Sequence, residues 1–215
     1  MSEFLIQDGE TVVFAGDSIT DHNRRDAHVP FGAGYVRQTI DLITARYPDR
    51  DITYFNEGIS GNTVVDLRNR WYDDVLRHKP DWVTIKIGIN DIHRFLFNPN
   101  EADKIPVALY EEAYRVILQR TKDAGAKIVL IDPFYMSQET DPTSTRKTVL
   151  DTLPAYLAVV EKLAAEFGTL HVRTHELYQE QLKYRPADRF GAEPVHPSIP
   201  GSIIIAHGLL GAIGW

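Results

Sequence analysis

Cysteine is absent from all 215 residues, which excludes disulfides, thiol nucleophiles and thiolate metal sites together. Basic side chains are outnumbered: 23 Lys and Arg stand against 30 Asp and Glu, for a net charge of −7. Nucleic acid and anionic membrane surfaces both select for a basic face, and the short pairs Arg24-Arg25 and Arg146-Lys147 do not build one. Long apolar runs are also missing. The C-terminal stretch Ile203 to Ile213 is interrupted by His207 and by glycines, well short of a membrane span. Met1-Ser2-Glu3-Phe4-Leu5 has neither the basic start nor the apolar segment of a signal peptide, so a cytoplasmic protein is expected. What remains is an ordinary globular composition, 43% hydrophobic and 25% charged. No linker, repeat or low-complexity tract divides the chain, and a single domain over residues 1–215 is expected, long enough to close one core.

Short apolar runs alternate with helical periodicity. Thr11 to Ala15, Ile52 to Asn56, Trp82 to Ile87, Lys127 to Ile131 and Leu170 to Val172 read as strands. Between them run amphipathic stripes: Val36, Ile40, Ile43 and Tyr47; Val64, Leu67, Trp71 and Val75; Val107, Tyr110, Tyr114 and Ile117; Leu153, Leu157, Val160 and Ala164. Each stripe reads as a core face. Five strands alternating with helices imply an α/β fold, a parallel sheet covered on both sides. Ligands of such sheets bind beyond the carboxyl ends of the strands. Gly88 to Ile105 and Pro133 to Thr148 read as long loops, and Pro186 to Pro200 as a Pro- and Gly-containing approach to a last helix.

Four segments carry chemistry-bearing residues. Phe14-Ala15-Gly16-Asp17-Ser18-Ile19-Thr20 follows the first strand, Gly58-Ile59-Ser60-Gly61-Asn62-Thr63 the second and Gly88-Ile89-Asn90-Asp91 the third; Val195-His196-Pro197 lies near the C-terminus. Singly, each has a plain structural reading. Ser and Asp after a strand cap helices, Asn tolerates left-handed backbone, and a histidine before a helix can be a loop residue. Ser18 also lacks the Gly-x-Ser-x-Gly elbow, since Asp17 precedes it and Ile19 follows.

Taken together, Ser18, Gly61, Asn90 and His196 in that order resemble the four blocks of the SGNH (GDSL-type) hydrolase family. The likeness runs from Thr11 to the final helix and includes Lys79-Pro80-Asp81-Trp82-Val83 before the third block. Within the family the chain looks most like bacterial carbohydrate esterases that deacetylate xylo-oligosaccharides, and Asp132-Pro133-Phe134-Tyr135 agrees with that subgroup. The resemblance implies a three-layer, flavodoxin-like α/β/α fold around a five-stranded parallel sheet. It implies Ser18 as nucleophile, His196 as base and acid, and an oxyanion hole of the Ser18 N–H, the Gly61 N–H and the Asn90 side-chain amide. No metal or organic cofactor is needed; Asp21, His22, Asp26 and His28 read as a polar loop. The implied partner is a small acyl ester, an acetylated oligosaccharide, with a homo-oligomer compatible with the sequence. A lysophospholipase or thioesterase of the same family is the alternative enzyme, and a non-catalytic carbohydrate-binding protein the alternative outside catalysis.

One position departs from the family pattern. Aspartate usually stands three residues before the catalytic histidine, whereas Glu193-Pro194-Val195-His196 offers glutamate. A glutamate can orient an imidazole, and Glu193 is expected as the third member of the triad. Asp188 competes for that role, and a backbone carbonyl holding the histidine is a third possibility.

Overall fold

The computed structural model describes residues 4–215. In chain order the elements are β1 (Thr11–Gly16), α1 (Ser18–Asp21), α2 (Tyr35–Arg46), β2 (Thr53–Gly58), α3 (Val64–Asp74), β3 (Trp82–Lys86), α4 (Ile89–Phe97), α5 (Val107–Asp123), β4 (Lys127–Ile131), α6 (Thr145–Phe167), β5 (Leu170–Val172), α7 (Thr174–Leu182) and α8 (Ile199–Ala212). All five strands pair in parallel, in the order β2-β1-β3-β4-β5. This is a flavodoxin-like order, in keeping with the fold the resemblance implies, with its switch point between β1 and β3.

The direction of each crossover explains the layers. The chain steps one way along the sheet from β1 to β2 and the other way from β2 through β5. Right-handed connections therefore place α2 on one face and α3, α5 and α6 on the other. The packing agrees: α2 lies against α8 and α8 against α7, while α3 lies against α5 and α5 against α6. With both faces covered, the central strands are almost continuously buried. Val12 to Ala15, Val83, Ile85 and Val129 to Ile131 are all buried. From α5 and α6, Tyr110 and Tyr156 satisfy their hydroxyls on the carbonyls of Ile87 and Ile105, at 3.1 and 2.6 Å.

Two expected loops are shorter than their sequences suggest. Gly88 to Ile105 contains α4, which buries Ile89 and Ile92 and starts at Gly88, whose φ of 139° is open to glycine alone. The segment after β4 ends at Ser144, whose side chain caps α6 on the N–H of Arg146. Helix α7 carries no stripe that the sequence made evident, but buries Tyr178 and Leu182. Among the stripes, Tyr47, Val107 and Leu157 pack only partly buried at the core margin.

Register then positions the functional segments. Gly16 pairs with both Gly58 and Lys86, so β1, β2 and β3 end side by side. Ser18, Gly61 and Asn90 each follow shortly after one of these ends.

Candidate active site

Ser18 opens the single turn α1, capped by Asp17, whose Oδ1 accepts the Ile19 N–H at 3.0 Å. Its Oγ lies 2.9 Å from Nε2 of His196. On the other side of the ring, Nδ1 of His196 lies 2.6 Å from Oε1 of Glu193. The same carboxylate accepts the backbone N–H groups of His196 at 2.6 Å and Val195 at 2.8 Å. Glu193 thus folds back onto its own loop, and the extra methylene is taken up in that turn. Met136 N–H donates to the carbonyl of Pro194 at 2.8 Å and Ser198 N–H to that of Phe190 at 2.7 Å, which anchors the loop to the body. Asp188 sits in an exposed 3₁₀ turn and makes no hydrogen bond to His196 among the described residues.

Three N–H donors lie just past the adjacent ends of β1, β2 and β3. The N–H groups of Ser18 and Gly61 have no acceptor among the described residues. Asn90 donates one Nδ2 hydrogen to the carbonyl of Asn62 at 2.9 Å, which aims the amide and leaves its second hydrogen unused. Gly61 has a φ of 80°, and no protein atom lies within 4 Å of where a Cβ would project. Backbone conformation therefore demands the glycine, and its open side leaves room for a ligand. The loop is braced from beneath: Ser60 N–H donates to Asp21 at 3.1 Å, and Arg70 donates to the Asn62 side chain at 2.7 Å and to the Gly16 carbonyl at 3.2 Å.

Ser18 and His196 open onto a cleft of about 290 Å³ walled by Ile19, His22 and Pro197. Beside it, Gly61 and Asn90 border a second, more open hollow of about 370 Å³ with His93, Arg94 and Phe97 on α4. The site is shallow, with the side chains of His196 and Glu193 59% and 44% exposed.

The model of the GDSL-like lipase/acylhydrolase family matches residues 14–202. The chain belongs to this family. An acetylxylan esterase of Geobacillus stearothermophilus is 39% identical over 217 residues, covering 98% of this chain and 96% of that protein. The crystal structure of Axe2, an acetylxylan esterase from the same organism, superposes with a TM-score of 0.88 at 37% identity, over 98% of this chain and 97% of that one. LAE5, an α/β hydrolase from the metagenome of Lake Arreo, Spain, gives a TM-score of 0.88 at 28% identity, over 99% and 98% of the two chains. Catalytic mutants of Axe2 have been solved with a serine, an aspartate or a histidine replaced by alanine.

In this GDSL-family chain, sequence reading passed over the residue that joins two of the blocks. Asp91 is fully buried and accepts the Val64 N–H, at the start of α3, with one oxygen at 2.9 Å. Its other oxygen has no partner. Loss of water raises its carboxyl to about 7, against the hydrogen bonds that hold it down. An unfolded aspartate ionises near about 3.9, so between these values the folded chain carries a proton that the unfolded chain has lost. The resulting stability contribution is present in acid and disappears as pH rises towards 7, at about 1.4 kcal/mol per pH unit. Asp91→Asn removes the titration while keeping an acceptor for Val64. Its unfolding free energy relative to the native protein is expected to improve by a few kcal/mol between pH 5 and pH 8. Urea melts at the two pH values measure this, and an unchanged difference would show that Asp91 ionises as an exposed carboxyl does. The only sequence cue was an aspartate directly after Asn90.

Proposed function

We propose that the protein is a serine esterase that removes acetyl groups from the hydroxyls of an oligosaccharide. The observation that carries the reading is the hydrogen-bonded series Glu193–His196–Ser18 set against unoccupied N–H donors. Ser18 Oγ attacks the ester carbonyl as Nε2 of His196 takes its proton. Charge gathering on the carbonyl oxygen is held by the N–H groups of Ser18 and Gly61 and by the free hydrogen of Asn90. Collapse expels the sugar alkoxide, protonated by His196, and leaves an acetyl ester on Ser18. Water, deprotonated by the same imidazole, attacks that ester and releases acetate and free serine. Glu193 fixes the ring with its proton on Nδ1 and offsets the imidazolium charge that forms in each step.

Acetylated xylo-oligosaccharide is the substrate class we favour, by analogy with the Geobacillus relatives. The shape of the site supports a small acyl group on a bulky polar alcohol. His196 and Glu193 are open to solvent, and the neighbouring hollow mixes His93, Arg94 and Asn98 with the exposed face of Phe97. A long acyl chain would find polar walls there instead of a closed apolar channel. Across p-nitrophenyl esters, kcat/KM is expected to be highest for acetyl and to fall steeply beyond butyryl. Each methylene would otherwise add about 0.8 kcal/mol if an apolar pocket received it. Efficiency that climbs through octanoyl would favour the lysophospholipase or thioesterase reading. Acetate release from acetylated xylo-oligosaccharides, set beside other acetylated sugars, tests the alcohol side.

A further inference from the structure

Beneath the nucleophile lies an ion pair that the mechanism above does not use. Lys86, the last residue of β3, and Asp17, just before Ser18, are both 0% exposed, with Nζ 3.2 Å from Oδ2. Lysines are almost never fully buried. Asp17 is the only hydrogen-bond acceptor of this ammonium among the described residues, and the Phe134 ring centroid lies 5.0 Å away. Burial lowers the Lys86 pKa, and the charges of Asp17 and Asp91 oppose that shift. A buried pair so sparsely solvated is a poor source of stability, because well-packed apolar replacements of similar volume do as well or better. Its location suggests another use.

Lys86 stands opposite Gly16 across the β1–β3 ladder, between the strand ends that lead to Ser18 and to Asn90. Asp17 controls the turn that follows. Its Oδ1 accepts the Ile19 N–H, and its carbonyl accepts those of Thr20 and Asp21 at 3.2 and 2.9 Å. Helix α1 spans only Ser18–Asp21, too few residues to hold a helical turn unaided. The Asp17 carboxylate is therefore one of the holds on the turn that carries the Ser18 N–H and hydroxyl.

We propose that Lys86 is a positioning residue of the esterase site, whose ammonium grips Asp17 and thereby fixes the turn presenting Ser18, serving turnover rather than stability. The proposal rests on the esterase reading above, which fails separately if the native protein shows no hydrolysis traceable to Ser18. Two variants test it. Lys86→Met removes the ammonium, and Asp17→Asn with Lys86→Met removes both charges while retaining a side-chain cap for Ile19. Each is compared with the native protein in melting temperature, and in kcat and KM for p-nitrophenyl acetate, normalised to Ser18 titrated with a serine-directed phosphonate. The doubly neutral variant is expected to melt at or above the native temperature. In both variants kcat per titrated site should fall about 10- to 100-fold with KM within about twofold, the pattern of a misplaced nucleophile. Native kcat in the doubly neutral variant would overturn the proposal. So would a loss carried by KM alone, or a doubly neutral chain that does not fold, since the pair would then serve binding or stability.

Discussion

Replacing Ser18 by alanine is expected to lower kcat by about four to six orders of magnitude, the scale of nucleophile removal in a serine hydrolase. The substitution deletes one oxygen from a half-buried position, so the fold should persist. Helix α1 keeps its Asp17 cap, which does not involve the serine hydroxyl. The residual rate should reflect only the oxyanion donors acting on a water molecule. Two measurements check this: steady-state hydrolysis of p-nitrophenyl acetate, and mass spectrometry after treatment with a serine-directed phosphonate. The native protein should gain one adduct, at Ser18, and the alanine variant none. Label at any other serine, or turnover near the native value, would remove Ser18 from the mechanism.

The second large effect is expected at Glu193. Its Oε1 lies 2.6 Å from Nδ1 of His196, slightly shorter than the usual charge-assisted N–H···O bond. Glu193→Gln preserves the length of the side chain and removes its charge. It also allows the ring to place its proton on Nε2, facing Ser18, where it cannot act as a base. Tautomer disruption of this kind cost a Ser-His-Asp protease about 10⁴-fold. Both partners here are substantially exposed, and solvent screens the interaction, so the expected fall in kcat lies between about 10- and 10⁴-fold. Asp188→Asn, in an exposed turn without a bond to the ring, should change kcat little. A silent Glu193→Gln beside a damaging Asp188→Asn would exchange the roles of the two carboxylates.

The sheet was legible because each strand is a short apolar run closed by turn-forming residues, and every one of the five forms within a residue or two of its expected limits. Helix α4 was not. Gly88-Ile89-Asn90-Asp91 has the composition of a turn, and the alternation of Arg94 with Phe95, Leu96 and Phe97 hides the buried pair Ile89 and Ile92. Of the residues expected to act together, Ser18, His196 and Glu193 stand in one hydrogen-bonded series, and Gly61 and Asn90 lie past neighbouring strand ends. The supports beneath them were not visible. Lys86 lies inside an apolar run, where one lysine reads as a strand residue turned to solvent, and its partner Asp17 is 69 positions away in sequence. Nothing in either local pattern indicates that both side chains point inward. The same holds for Asp91, whose partner Val64 lies 27 positions away on another helix.

The loop bearing Glu193 and His196 reaches the site from the far end of the chain, moored by Met136 and followed by α8, which packs on α2. A growing chain therefore carries Ser18, Gly61 and Asn90 well before it carries Glu193 and His196. A Ser18 hydroxyl without His196 is no stronger a nucleophile than any other serine. On the esterase reading, hydrolytic power is expected only once the loop bearing His196 has docked beside Ser18.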